Sequence, residues 1–280
     1  MHLFLHFHKA AGMSLIEFFR RSGYRFHRGN RNGNPWTRDM KKPLLFWNYS
    51  PQKLHNWITA IESKKKGCQI MVAEWNFFPK NTFDQLNKFQ YITIIRDPWK
   101  RYLSNYFYEP DNHLTQGMRK KRNKIINGKT IHQSDYQAIL DFANHQIIRN
   151  KRGLKLNLSY NQHNYYVRML NGMGTWSLKK QKAYPLKIEH LEHAKKVLSK
   201  FDIVIILEIK ESFQQLKRFS TKHRMEHSHQ GHRKKPRNIP DSIQLEFKKL
   251  NNWDYQLYDY VCQQFSQKRN NMNKKRCHLN

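Results

Sequence analysis

Four short apolar runs punctuate the chain, at Leu3–Phe7, Gln69–Ala73, Tyr91–Ile95 and 202–207 ("DIVIIL"). Runs that are apolar or β-branched at successive positions, and not only at alternate ones, are the pattern of strands buried on both faces. Segments with helical periodicity lie between and after them. Ser14–Ser22 is amphipathic and closes near Gly23. Ser50-Pro51 places proline at a first helical position, so a helix runs from there to about Lys65 and ends at Gly67. Asp97-Pro98 caps a helix from Trp99 to about Tyr108. Further helices are expected at about 134–149, 161–171 and 189–200, and a last one from Pro240 to about Gln267. Residues 25–43, with Gly29, Gly33, Pro35 and Pro43, read as a polar loop. "RKKRNK" (119–124) reads as a charged loop, 218–238 as a basic loop, and "KRNNMNKKR" as a frayed basic tail. Strands alternating with helices predict an α/β fold with a P-loop-like central parallel sheet flanked by helices. At 280 residues the chain is most simply one domain, 1–268, with a tail at 269–280 and no internal repeat.

Charge changes the picture more than length does. Lys and Arg number 52 against 20 Asp and Glu, a formal net charge of +32. Such a field draws polyanions generally: nucleic acid, acidic polysaccharide, anionic lipid or nucleotide. A 14% aromatic content argues against a disordered chain. Cys68, Cys262 and Cys277 make neither a zinc set nor a disulfide framework, and leave one pair open. No run reaches the roughly 18 apolar residues of a membrane-spanning helix, and Leu3–Phe7 is too short for a signal peptide. The expectation is a soluble, cytoplasmic protein, or a Golgi-lumenal one if an anchor precedes this sequence.

Two segments carry candidate chemistry. "HFHKAAGMSL" (6–15) follows the first strand and opens a helix. It is not a Walker A loop, yet Gly12 allows close backbone approach, the N–H groups of residues 12–15 face forward, and Ser14 adds a hydroxyl. Lys9 stands at the carboxyl end of the strand, where ligands bind in such sheets. An ordinary strand–helix turn with a surface lysine explains this segment alone equally well. "YITIIRDPWKRYLSNYFY" (91–108) supplies the second half. Arg96 ends a strand, and Arg101, Ser104 and Tyr108 follow at i, i+3 and i+7 on one helix face. Arg96 and Ser104 can thus meet one further anion.

Together these segments resemble the two nucleotide motifs of the sulfotransferases that use 3′-phosphoadenosine 5′-phosphosulfate (PAPS), with the eight-residue step from Arg96 to Ser104 matching the family's R-x₇-S spacing. The resemblance implies that Lys9, Ala11, Gly12, Met13, Ser14 and Leu15 hold the 5′-phosphosulfate, and that Arg96 and Ser104 hold the 3′-phosphate. "NYYVRMLNG" (164–172), "HAKKVLSKFDIVIILE" (193–208) and "LNNWDYQLYDYVCQQF" (250–265) are similar to segments of carbohydrate sulfotransferases, the heparan-sulfate 6-O branch first and the 2-O branch nearby. In similar enzymes the first of these closes over nucleotide or acceptor, which adds Arg168 to the binding set; a structural salt bridge is the alternative.

Sulfuryl transfer to a hydroxyl needs a base, in-line geometry and positive charge at the departing oxygen. Lys9 is the candidate for the charge. Glu74, at the end of "QIMVAEW", is the candidate base, with His6 and His8 as alternatives. The 6-O branch has a histidine where this chain has Val72, so the base is the point of departure from that branch. His8 beside Lys9 is a further candidate for stabilising the leaving phosphate. Trp75, Phe77 and Phe78 suit either a sugar face or the core. His227, His229 and His232 lack an acid or cysteine partner, and the reaction needs no metal. The expected partner is a carbohydrate acceptor, anionic if the basic runs take part, with no specific nucleic acid. A polyanion-binding protein of related fold without catalysis is the competing reading, favoured by charge alone.

Overall fold

The computed structural model describes residues 1–27, 35, 44, 46, 49–63, 68–74, 89–108, 116–127, 130–141, 147–149, 155–157, 163–173, 184–225 and 239–277, with backbone alone for 147–149, 155–157 and 271–277. Its centre is a four-stranded, all-parallel sheet in the order β2-β1-β3-β6, formed by β1 (His2–Leu5), β2 (Ile70–Ala73), β3 (Gln90–Ile95) and β6 (Ile203–Ile206). Leu5 pairs with Ala73 on one side and Thr93 on the other, and Ile95 pairs with Ile206. Leu3, Phe4, Leu5, Ile70–Ala73, Ile92, Ile94 and Ile95 are buried, the burial on both faces that their continuous apolarity requires. Thr93 is the polar exception, and its hydroxyl donates to the Leu5 carbonyl at 2.8 Å.

Helices α1 (Gly12–Arg21), α2 (Pro51–Glu62), α3 (Pro98–Tyr108), α6 (Tyr165–Leu170), α7 (Ile188–Ser199) and α9 (Asn252–Cys277) flank the sheet. A second apolar cluster joins α3 to α4 (Gln116–Asn127), α5 (Gln133–Asp141), α8 (Asp241–Leu250) and α9, through Tyr102, Ile139, Phe247 and Tyr255. The α2 start is the one the sequence predicts: Pro51 is its first residue and the Ser50 hydroxyl accepts from Lys53 N–H at 3.3 Å. At α3, Asp97 Oδ1 accepts from Lys100 N–H at 2.9 Å.

Four expectations are corrected. Residues 119–124 are helical, inside α4, because Met118, Arg122 and Ile125 form a buried stripe. The helix expected over 134–149 ends at Asp141, and Ile147–Arg149 form β4, antiparallel to β5 (Lys155–Asn157). The last helix is two, broken at Asn251, and helix continues to Cys277 where a frayed tail was expected. Lys210–Arg218 is a 3₁₀ segment. The expected loop 218–238 is described only to residue 225; Trp75, Phe77, Phe78, His227, His229, His232 and the rest of that basic run lie outside the described residues.

The topology places the site. From β1 the chain crosses to β2 on one side, then returns past β1 to β3 on the other. The order therefore reverses between β1 and β3, and the crevice beyond their carboxyl ends is where such sheets bind ligands.

Candidate functional site

A polar or titratable residue follows each strand of the central sheet at that edge: His6 directly after β1, Glu74 after β2 and Arg96 after β3, and Glu208 one residue further on, past Leu207, after β6. β1 leaves the ladder at Leu5, two residues earlier than its apolar run suggests, so residues 6–11 form the loop. Lys9 and Ala11 hold φ of 62° and 61°, in the left-handed region. Such conformations cost roughly 1–3 kcal/mol each and persist where their surroundings enforce them. Ser14 and Leu15 N–H turn back to the Ala11 carbonyl at 3.0 and 3.3 Å. Helix geometry leaves the Gly12 and Met13 N–H groups without an intrahelical carbonyl, facing the crevice end of α1. Ser14 is buried in the same turn.

Arg96 joins the two motifs. Its Nη1 donates to the Lys9 carbonyl at 3.2 Å, and its Nε lies 3.9 Å from Glu208 Oε1. Burial pushes the Arg96 pKa down and Glu208 opposes that. Glu208 in turn accepts from Asp97 N–H at 3.0 Å and from the Tyr258 hydroxyl at 2.9 Å. The Lys9 ammonium rests over the Tyr108 ring, 3.1 Å from its centroid. The predicted face of α3 is divided in use: Tyr108 meets Lys9, the Arg101 guanidinium stacks 4.0 Å over Tyr165, and Ser104 is half-buried. Among the described residues Arg96 and Ser104 share no hydrogen bond.

Glu74 stands between two imidazoles. Its Oε1 is 3.1 Å from His8 Nδ1 and 3.7 Å from His6 Nε2, and the carboxylate is buried. The other His8 nitrogen, Nε2, is 3.0 Å from Asn105 Oδ1. An imidazolium donates to both; a neutral ring with its proton on Nδ1 accepts from Asn105 once that amide turns its nitrogen inward. The cluster can therefore hold or pass on a proton beside Lys9. His6 is buried, and burial drives its pKa down while Glu74 opposes that.

Arg168 takes a different place. It is buried on α6, its Nε donates to the His163 carbonyl at 3.1 Å, and burial lowers its pKa to about 10. Its described contacts do not reach residues 9–15 or Arg96. Residues the sequence reading passed over are Asn105, Glu208, Tyr165 and Tyr166. Tyr165 Oη accepts from His8 N–H at 3.0 Å, and Tyr166 Oη accepts from Arg96 N–H at 3.1 Å. Glu208 had a signal, since it follows an apolar run as Arg96 and Glu74 do. Among the described residues no group of three or more His, Cys, Asp or Glu gathers as a metal site, and no helix is long and apolar enough to cross a membrane.

No curated protein and no solved structure matches the chain. The family model described as "Sulfotransferase family" matches residues 4–261, from within β1 to α9. That span takes in the residue 6–15 loop, the end of β2, the Arg96–Ser104 segment and the α6–α9 junction, and so the chain belongs to the sulfotransferase family.

Proposed function

We propose that the protein transfers a sulfuryl group from PAPS to a hydroxyl of a carbohydrate. The observation that carries the reading is the meeting of the two motifs at the β1/β3 switch point, where Arg96 Nη1 bonds the Lys9 carbonyl at 3.2 Å. A donor with phosphates at both ends of its ribose needs two anion subsites held at a fixed separation, and a family member supplies the chemistry that uses them.

The residues present fit that donor. The N-terminal turn of α1, built by Ala11, Gly12, Met13, Ser14 and Leu15, offers the Gly12 and Met13 N–H groups and the Ser14 hydroxyl to the 5′-phosphosulfate. Arg96 and Ser104 serve the 3′-phosphate. In the transfer the acceptor oxygen bonds to sulfur, the bond from sulfur to the bridging phosphate oxygen breaks, and that oxygen keeps the electron pair. Lys9 neutralises the charge arriving there. Glu74 receives the acceptor proton, with His8 held on its Oε1.

The acceptor class rests on the similarity of 164–172, 193–208 and 250–265 to carbohydrate sulfotransferases of the heparan-sulfate 6-O and 2-O branches. A net charge of +32 suits an anionic glycan. The test is sulfur-labelled PAPS incubated with a panel of neutral and anionic glycans, with the product mapped by mass spectrometry. Label on a sugar hydroxyl is the expected result. Label on no carbohydrate, with transfer to another hydroxyl compound, overturns the acceptor assignment; tight DNA binding with no transfer at all overturns the enzyme reading.

A further inference from the structure

Tyr165 and Tyr166 are adjacent, buried, and end on different motifs. Tyr165 Oη accepts the backbone N–H of His8, the residue before Lys9, at 3.0 Å. Tyr166 Oη accepts the Arg96 N–H at 3.1 Å and donates to the Arg96 carbonyl at 2.9 Å. One short helix thus grips the backbone of both phosphate motifs through two neighbouring side chains.

We propose that the Tyr165–Tyr166 pair is a positioning clamp that fixes the separation of the two phosphate subsites, so that a nucleotide phosphorylated at both 3′ and 5′ positions is preferred over a monophosphate. The inference rests on the sulfuryl-transfer reading above.

The clamp is itself rigidly mounted. Both rings pack edge-on against Phe7, with centroids 6.1 and 4.9 Å away, and Arg101 covers the Tyr165 face. The N–H groups of Tyr166 and Val167 each bond one oxygen of the buried Asp254 carboxylate at 3.0 Å. The arrangement is reciprocal: Asn164 Oδ1 accepts from Trp253 and Asp254 N–H at 3.0 and 3.2 Å, so each helix start caps the other. Asn251 Oδ1 closes the junction by accepting Asn164 N–H at 2.8 Å. A hydroxyl on such a mount transmits little play. Without it, His8 or Arg96 loses a buried backbone partner and can drift from the spacing a bisphosphate needs.

The two hydroxyls act on different subsites, which gives a signature that general loosening would not. Calorimetric affinities are measured for adenosine 3′,5′-bisphosphate (PAP), adenosine 5′-monophosphate and adenosine 3′-monophosphate. Tyr166→Phe is expected to weaken PAP and the 3′-monophosphate about tenfold and leave the 5′-monophosphate within about twofold, the scale of one lost hydrogen bond. Tyr165→Phe is expected to weaken PAP and the 5′-monophosphate and spare the 3′-monophosphate. Ser212→Ala is the control, since its buried hydroxyl bonds the Ile206 and Ile209 carbonyls, outside both motif segments. Its melting temperature falls, and its three affinities should stay at the wild-type values. Equal losses on all three ligands in both clamp variants, or wild-type affinities in both, overturn the clamp while leaving sulfuryl transfer standing. Absence of PAP binding by the wild-type protein overturns both.

Discussion

Gly12 lies directly against the imidazole of His6: a β-carbon on residue 12 would fall 1.9 Å from His6 Cδ2 and 2.0 Å from Nε2. Gly12 sits at an ordinary helical φ, so its need is for space and not for a left-handed backbone. The sequence suggested a glycine clearing room for an anion above the loop. The structure adds a ring below it, stacked on Phe4 at 5.4 Å and enclosed by the core. Gly12→Ala must displace that ring or lift the first turn of α1. The expected cost is about 1–3 kcal/mol, the range for overpacking a filled site, with weaker PAP binding as the turn moves. In a His6→Ala background the same substitution should cost markedly less. An undiminished cost in that double-mutant cycle would show that the clash is not with the ring.

The Lys9 ammonium rests on Tyr108, whose ring is 57% exposed and has its centroid 3.1 Å away. An exposed cation–π contact is worth only about 0.5–1 kcal/mol, less than a charge-assisted contact with a phosphate oxygen contributes. Lys9→Ala should lower turnover by roughly 10²-fold or more, the scale of losing one group that meets developing charge. PAP affinity should fall far less, since the backbone N–H groups of Gly12 and Met13 remain. A proportional loss of binding and turnover, measured by calorimetry and initial rates, would make Lys9 a binding group only.

The sheet was legible because its strands are buried on both faces. Continuous runs such as "YITII" and "IVII" have no solvent side, so nothing interrupts their apolarity. The layout of the two candidate segments, 6–15 and 91–108, was legible because local chemistry carries it: a strand end, a helix start, and glycine, serine and arginine at set steps. What escaped is held by pairs distant in sequence. Tyr166 and Arg96 are 70 residues apart, and Asp254 meets Val167 across 87. Helix α4 escaped for a different reason. Arg122 occupies a position on its buried stripe, so the segment looks polar to any count of apolar residues.

Glu74→Gln tests the base. Glutamine keeps the size and an oxygen for His8 Nδ1, now 3.1 Å from the carboxylate, but cannot take a proton. Turnover should fall about 10²-fold, within the range for general-base catalysis, while PAP affinity stays near wild type. His8→Asn should then cost less than Glu74→Gln. The reverse ranking, with Glu74→Gln nearly active and His8→Asn dead, would make the imidazole the base and Glu74 the group that orients it.

Two titratable groups near α6, the half-buried His163 and the buried Asp254, oppose each other in pH dependence. Burial and the nearby Arg168 push His163 down to about 4, from an ordinary value of 6.5. The unfolded chain therefore binds more protons there, and this contribution to stability is lost as pH falls from 6.5 through 4. Buried His6 has a lowered pKa too and acts in the same sense. Asp254 is pushed the other way by burial, to about 6 from 3.8, against the pull of two backbone N–H groups, Arg101 and Arg168. Its contribution is fully present below 3.8 and is lost as pH rises through 6, so acidification strengthens it. Between about pH 4 and 6 the terms partly cancel, each limited to about 1.4 kcal/mol per pH unit. Asp254→Asn removes the favourable acid term, so denaturant stability should fall more steeply from pH 6 to 4 than in the wild type, whatever its value at pH 7. His163→Gln should flatten the same stretch. Slopes, not baselines, are compared, because Asp254→Asn also sets an amide against the Val167 or Tyr166 N–H. An Asp254→Asn slope equal to the wild type would mean that the carboxylate stays ionised throughout, its two N–H bonds outweighing burial.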